Sequence, residues 1–232
     1  MGQGRWTWRE ALGVVVLGVF LLGLLMPAMG RTVDWTSDHR MQLRYIHMGL
    51  ILYSQGNRDY YPGLGPDGRA RGLDVEARYR SLFEADLLPG RGVISPHEPQ
   101  ARSEWTGGAV TVANYSYAML QVPDAGGRRE EWRETMNGDA IVISDRNLGT
   151  ATAPRGPLTG QPRPTQRNAF GCTTGGGNYG SGWAGAVAFN DHRVEMVETH
   201  VHDTVYGGVA TVDDHIFEAA GDDDAYMVHE GN

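Results

Sequence analysis

Lysine is absent from the 232-residue chain, and all 20 basic residues are arginine. Schiff-base chemistry and a phosphate-loop lysine are therefore excluded. A single cysteine, Cys172, rules out an internal disulfide and a thiolate zinc site. Positive charge is also scarce: the formal net charge is -8, and a nucleic-acid partner would need a basic face. The acid is concentrated late, with only Arg193 opposing the Asp and Glu residues between Asp191 and the C-terminus.

What is present begins with an apolar run. Residues 11–30, ALGVVVLGVFLLGLLMPAMG, hold no charge and are long enough as a helix to span about 30 Å of hydrocarbon. Arg5 and Arg9 precede the run, so the positive-inside rule leaves the N-terminus in the cytoplasm and exports the chain beyond Arg31. A cleaved signal peptide ending at Ala28-Met29-Gly30 is the competing reading, disfavoured by Glu10 at the edge of the run. Leu43, Ile46, Leu50 and Tyr53 continue a helical stripe until Gly56 and Asn57 supply a stop, and Pro27 bends the helix. The expected organisation is a cytoplasmic leader (1–10), a membrane segment (11–30), an exported helix continuation (31–57) and a Gly-rich exported domain (58–232).

Within that domain, residues 74–88 carry a second amphipathic stripe stopped by Pro89-Gly90. Strand patterns occur at 109–120, 140–144, 185–189, 193–197 and 205–212. Residues 155–167 and 171–185 read as long loops. The fold class expected is α+β: a long N-terminal helix, membrane-spanning in its first half and amphipathic in its second, packed on a mostly antiparallel sheet.

The layout resembles type IV pilins and type II secretion pseudopilins. Trp6-Thr7-Trp8-Arg9-Glu10 is similar to that class's F-T-x-x-E start, and in the same register Pro27 falls on its helix-kinking proline. Further segments resemble a pseudopilin-like group abundant in planctomycetes, with a domain of unknown function after the helix. These are MQLRYIHMGLILYSQGNRDYYP from Met41, Asn114-Tyr115-Ser116-Tyr117, Ile143-Ser144-Asp145-Arg146-Asn147, VAFNDHRVE from Val187, and Asp214-His215-Ile216-Phe217. Arg5 stands where the group's leader usually ends in Gly. His192 replaces the Gly of the group's H-x9-D-G element, whose first His is missing. The resemblance implies a non-enzymatic, pilin-like subunit of the inner membrane with a periplasmic or cell-surface domain. It would assemble with itself or with other pilin-like subunits, and Arg5, Trp6, Glu10 and Pro27 would serve processing and assembly.

Three segments look chemical. Gly175, Gly177 and Gly180 match G-x-G-x-x-G, but no strand–turn–helix context surrounds them, and a plain loop is the stronger reading. His200 and His202 would share a face of a strand, the basis of a metallo-hydrolase alternative that lacks a third ligand. Asp222, Asp223 and Asp224 offer oxygen ligands for Ca2+ without the spacing of a known loop. Some pseudopilins bind calcium in a C-terminal loop, and no other cofactor is expected. A solitary membrane-tethered binding domain is the second functional reading.

Overall fold

In the computed structural model the described residues are 8, 12, 15–17, 35–96, 98–122, 129, 132–135, 137–150, 152–161, 166–167, 173–174, 178–206, 208–218 and 226–229. The chain divides into two units, Met1–Asp34 and Trp35–Asn232. In the first, Trp8, Leu12 and Val15–Leu17 are helical and exposed.

The second unit opens with helix α1 (Trp35–Gln55). Its buried side chains are His39, Leu43, Ile46, His47, Leu50 and Ser54, spaced three and four apart along one face. The chain then turns sharply. Arg58 and Asp59 take left-handed backbone conformations, and the Asn57 amide holds the turn by donating to the carbonyls of Tyr60 (2.9 Å) and Leu64 (2.8 Å). Helix α2 (Val75–Glu84) is capped by Asp74, whose carboxylate accepts from the Ala77 N–H at 2.7 Å. Leu88 closes on α1 at Gly49, where an added Cβ would come within 2.9 Å of the Leu88 side chain.

The strands are β1 (Tyr117–Leu120), β2 (Ile141–Asp145), β3 (Gln166–Arg167), β4 (Thr173–Thr174), β5 (Gly185–Phe189), β6 (Val194–Val197), β7 (Val201–Tyr206), β8 (Val209–His215) and β9 (Met227–Val228). The main sheet has the order β6-β5-β2-β1-β9, and all its pairs are antiparallel. β3-β4 and β7-β8 form two separate antiparallel ribbons. β2 and β5 are buried along their whole length, as central strands covered on both faces are. The core gathers Leu43, Ile46 and Leu50 of α1 and Tyr79 and Leu82 of α2 with Ile141, Ile143, Val187, Trp132 and Trp183. Arg78, fully buried, sends a guanidinium N–H to the Leu120 carbonyl (2.7 Å), 5.0 Å over the Trp132 ring.

These observations correct several expectations. Among the described residues no helix is long and apolar enough to cross a membrane. A single-pass inner-membrane protein with a periplasmic domain is thus not what the structure supports. The pilin-like fold, one long helix with a membrane-spanning first half packed on a sheet, gives way to short helices in a sheet-rich domain, and the pseudopilin and type II secretion reading falls with it. α1, with Asp38, Arg40 and Arg44 among its apolar residues, has the character of a helix at a water boundary, as expected of the segment beyond residue 30, and it is too polar to cross a membrane itself. Most of the run 11–30, with Pro27, lies outside the described residues, as do Arg5, Trp6 and Glu10.

Candidate functional site

The most unusual surface of the Trp35–Asn232 unit is the outer side of α1. Met41, Tyr45, Met48 and Leu52 are 65%, 44%, 43% and 45% exposed, a concentration of apolar side chains that a solvated helix face does not need. Their spacing of 4, 3 and 4 keeps them in one row, the seam periodicity by which helices pack on helices. At about 100° per residue this row lies half a turn from Leu43, Ile46 and Leu50. α1 therefore carries two apolar stripes, one spent on the core and one unspent.

Beside the seam lies a groove of about 530 Å³ lined by Met41, Gln42, Arg44, Tyr45, Met48, Gly92 and His192. Gly92, in the 3-10 turn Gly90–Val93, lets the Tyr45 ring lie close, since a Cβ there would meet the ring at 3.0 Å. Gln42 is held by donating to the Ile94 carbonyl (2.8 Å) and accepting from the Tyr117 hydroxyl.

The groove's other wall is His192, at the tip of the β5–β6 hairpin with φ +72°. This left-handed position suits glycine, and a histidine held there bears backbone strain. What holds it is a polar relay running inward. His192 Nδ1 lies 3.0 Å from His47 Nδ1, His47 Nε2 lies 3.4 Å from the Tyr61 hydroxyl, and that hydroxyl donates to Asn190 Oδ1 at 2.6 Å. Because the Tyr61 proton goes to Asn190, its oxygen accepts from His47 Nε2–H. His47 Nδ1 then carries a lone pair and accepts from His192 Nδ1–H. Burial, reinforced by the neighbouring His192, pushes His47 down to about 4, so its imidazole is neutral at pH 7.

Two further buried polar links brace α1 and the sheet. His39 Nδ1 contacts Asp145 Oδ1 at 3.1 Å, and Asp145 Oδ2 accepts from the Ala186 N–H at 2.7 Å, joining α1, β2 and β5. Burial alone would lower the His39 pKa, but the charge and hydrogen bond of Asp145 outweigh it and raise the pKa. Behind β2, Arg146 grips Glu98 with two N–H donors at 2.6 and 3.2 Å, and Arg102 approaches the same carboxylate at 3.4 Å. Burial works to raise the Glu98 pKa, and the Arg146 contact overcomes it and holds the carboxyl below its usual range.

The segments singled out from sequence fall elsewhere. Asp222, Asp223 and Asp224, Gly175, Gly177 and Cys172 lie outside the described residues. His200, just before β7, lies tilted against His215 with ring centroids 4.4 Å apart, and its pKa is lowered by burial and by His215 and His202. Among the described residues no three His, Cys, Asp or Glu side chains converge to hold a metal ion. The metallo-hydrolase reading thus gains no third ligand. The relay was not foreseen from sequence, because His47 and His192 are 145 positions apart. A signal did exist at Met41, Tyr45, Met48 and Leu52, whose seam spacing is visible once the core stripe is set aside. Compared with family models, curated proteins and solved structures, the chain matches none.

Proposed function

We propose that this chain is a non-enzymatic structural subunit that associates with a second copy of itself through the outer face of α1. The observation that carries the reading is the half-exposed seam of Met41, Tyr45, Met48 and Leu52. The identity of the partner is indicated by the charge along the same helix. Arg40 and Arg44 are exposed in its first half, and its last turn holds no basic residue to offset the partial negative charge of its open carbonyls. An antiparallel copy, with Met41 opposite Leu52 and Tyr45 opposite Met48, brings Arg40 of each helix beside the last turn of the other. A parallel copy would set Arg40 and Arg44 against their like. The antiparallel pair is two-fold symmetric, and its centre places Tyr45 rings against Met48 sulfurs.

Four half-exposed side chains per copy remove on the order of 700–800 Å² from water, below the roughly 1,200 Å² at which stable interfaces begin. The pair is therefore weak and concentration-dependent. Sedimentation velocity on the full chain tests it, in a mild detergent that keeps residues 11–30 dispersed. Wild type shifts towards dimer as concentration rises, and Tyr45→Glu and Met48→Glu stay monomeric with unchanged melting temperature. Equal association in the wild type and both variants contradicts the proposal.

A further inference from the structure

On the far side of the main sheet from β6, a second cavity of about 430 Å³ opens at the edge strand β9. It is lined by Asn147, Gly149 and Thr150 of the loop after β2, Phe217 after β8, and Tyr226, Met227, Val228 and His229. Two features set it apart from a packing gap. Its wall is chiefly apolar, supplied by Phe217, Met227 and Val228. Its one imidazole, His229, is 5% exposed, and among the described residues neither ring nitrogen has a partner in good hydrogen-bond geometry, the Tyr115 backbone being the one group that approaches it. A buried imidazole left in this way costs free energy unless something else satisfies it. Asn147 is already committed elsewhere, since its side chain donates to the Thr150 carbonyl and accepts from the Gly149 and Arg155 N–H groups.

The charge around His229 indicates what would satisfy it. Among the described residues, the charged groups that act on it are Arg146, Arg102 and Glu98. Arg146 and Arg102 both direct themselves at the single Glu98 carboxylate, and the side chains of all three are about 5% exposed. Among the described residues, one carboxylate against two guanidinium groups leaves an excess positive charge near the imidazole, in surroundings where water screens little. Consistent with this, burial and the two arginines push the His229 pKa down to about 4, the Tyr115 backbone and Glu98 acting in the opposite sense. The site disfavours a proton of its own and a cationic guest alike. It favours an anion small enough to keep its apolar body on Phe217, Met227 and Val228.

We propose that this pocket binds a small apolar carboxylate, its ring or chain against Phe217, Met227 and Val228 and its carboxylate accepting a hydrogen bond from His229. A carboxylate beside the imidazole stabilises the protonated ring, so binding takes up a proton and tightens as pH falls from 7 towards 5. The site shares no residue with the α1 groove, so it stands whether or not the chain self-associates.

Phenylacetate, its neutral isostere phenylacetamide and the cation benzylamine serve as probes in ligand-observed NMR of the full chain. Phenylacetate should bind roughly tenfold tighter than phenylacetamide, the worth of one charge-assisted hydrogen bond, and benzylamine should not bind. In histidine-labelled protein, phenylacetate should move one imidazole signal, the signal missing from His229→Phe, which keeps a ring against Tyr115. Equal binding of acid and amide in the wild type, or no movement of that imidazole at millimolar phenylacetate, overturns the proposal even if His229→Phe fails to fold.

Discussion

Acidification from pH 7 to pH 5 isolates what the buried imidazoles contribute. His47 and His229 each have a pKa near 4 in the folded chain, against an ordinary value of 6.5. In this window the unfolded chain takes up protons that the folded chain refuses, so stability falls as pH falls. For one such histidine, the ratio of proton-binding terms at pH 5 gives about 2 kcal/mol, nearly all of it absent at pH 7. The pair together cost about 3–4 kcal/mol, a large share of the stability of an ordinary domain. His39 works in the other direction: its raised pKa gives stability that is present below pH 6.5 and lost as pH rises through the folded value. The assay is urea unfolding of the full chain, followed by tryptophan fluorescence, at half-unit steps between pH 7 and pH 5. The midpoint should fall steadily. His47→Gln should be less stable at pH 7 yet lose only about half as much on acidification. A wild-type midpoint that is flat from pH 7 to pH 5, or His47→Gln with the full wild-type slope, would refute the assignment of these rings as buried and neutral.

Two other substitutions probe the frame that positions the α1 seam. Trp132→Phe removes the indole donor to the Pro62 carbonyl (2.7 Å) and leaves a void under Arg78. Chemical denaturation should show a loss of about 2–3 kcal/mol. Glu98→Gln strips the shared carboxylate from two buried arginines, and by the same measurement should cost roughly 3 kcal/mol.

Local pattern carried much of the element-level reading. Leu43, Ile46 and Leu50 announce the buried face of α1 because helical burial leaves a period of three and four. Asp74 caps α2, which ends at Glu84, short of the stop expected at Pro89-Gly90, and Asn190-Asp191 punctuates β5 and β6 as turn residues do. The strand expected over 109–120 is mostly not one. Thr111 and Asn114 cap each other's backbone across a 3-10 turn, and only Tyr117–Leu120 pairs with β2. The strand expected at 205–212 is the junction of two, since Gly208 takes a positive φ between β7 and β8. The expectation of one long membrane helix took the apolar run 11–30 and the α1 stripe as continuous; α1 is described from Trp35 onward, and residues 18–34 before it lie outside the described residues. The relay from His192 to Asn190 joins residues that only the sheet brings together, so no window along the chain displays it. β9 is two residues long and recognisable only through its pairing with Met119 and Leu120.

Mixed-cysteine crosslinking tests the central claim most directly, because it reads both contact and direction along α1. In a Cys172→Ser background, one population carries Tyr45→Cys and the other Met48→Cys. Mild oxidation of the mixture should give a disulfide-linked heterodimer in preference to either homodimer, because antiparallel helices set position 45 opposite position 48. A control pair with cysteines at the exposed Arg69 and Val212, away from the helix, should not crosslink. Absence of the 45–48 crosslink at concentrations where the protein sediments as dimer, or crosslinking no stronger than the control, would contradict self-association through this face.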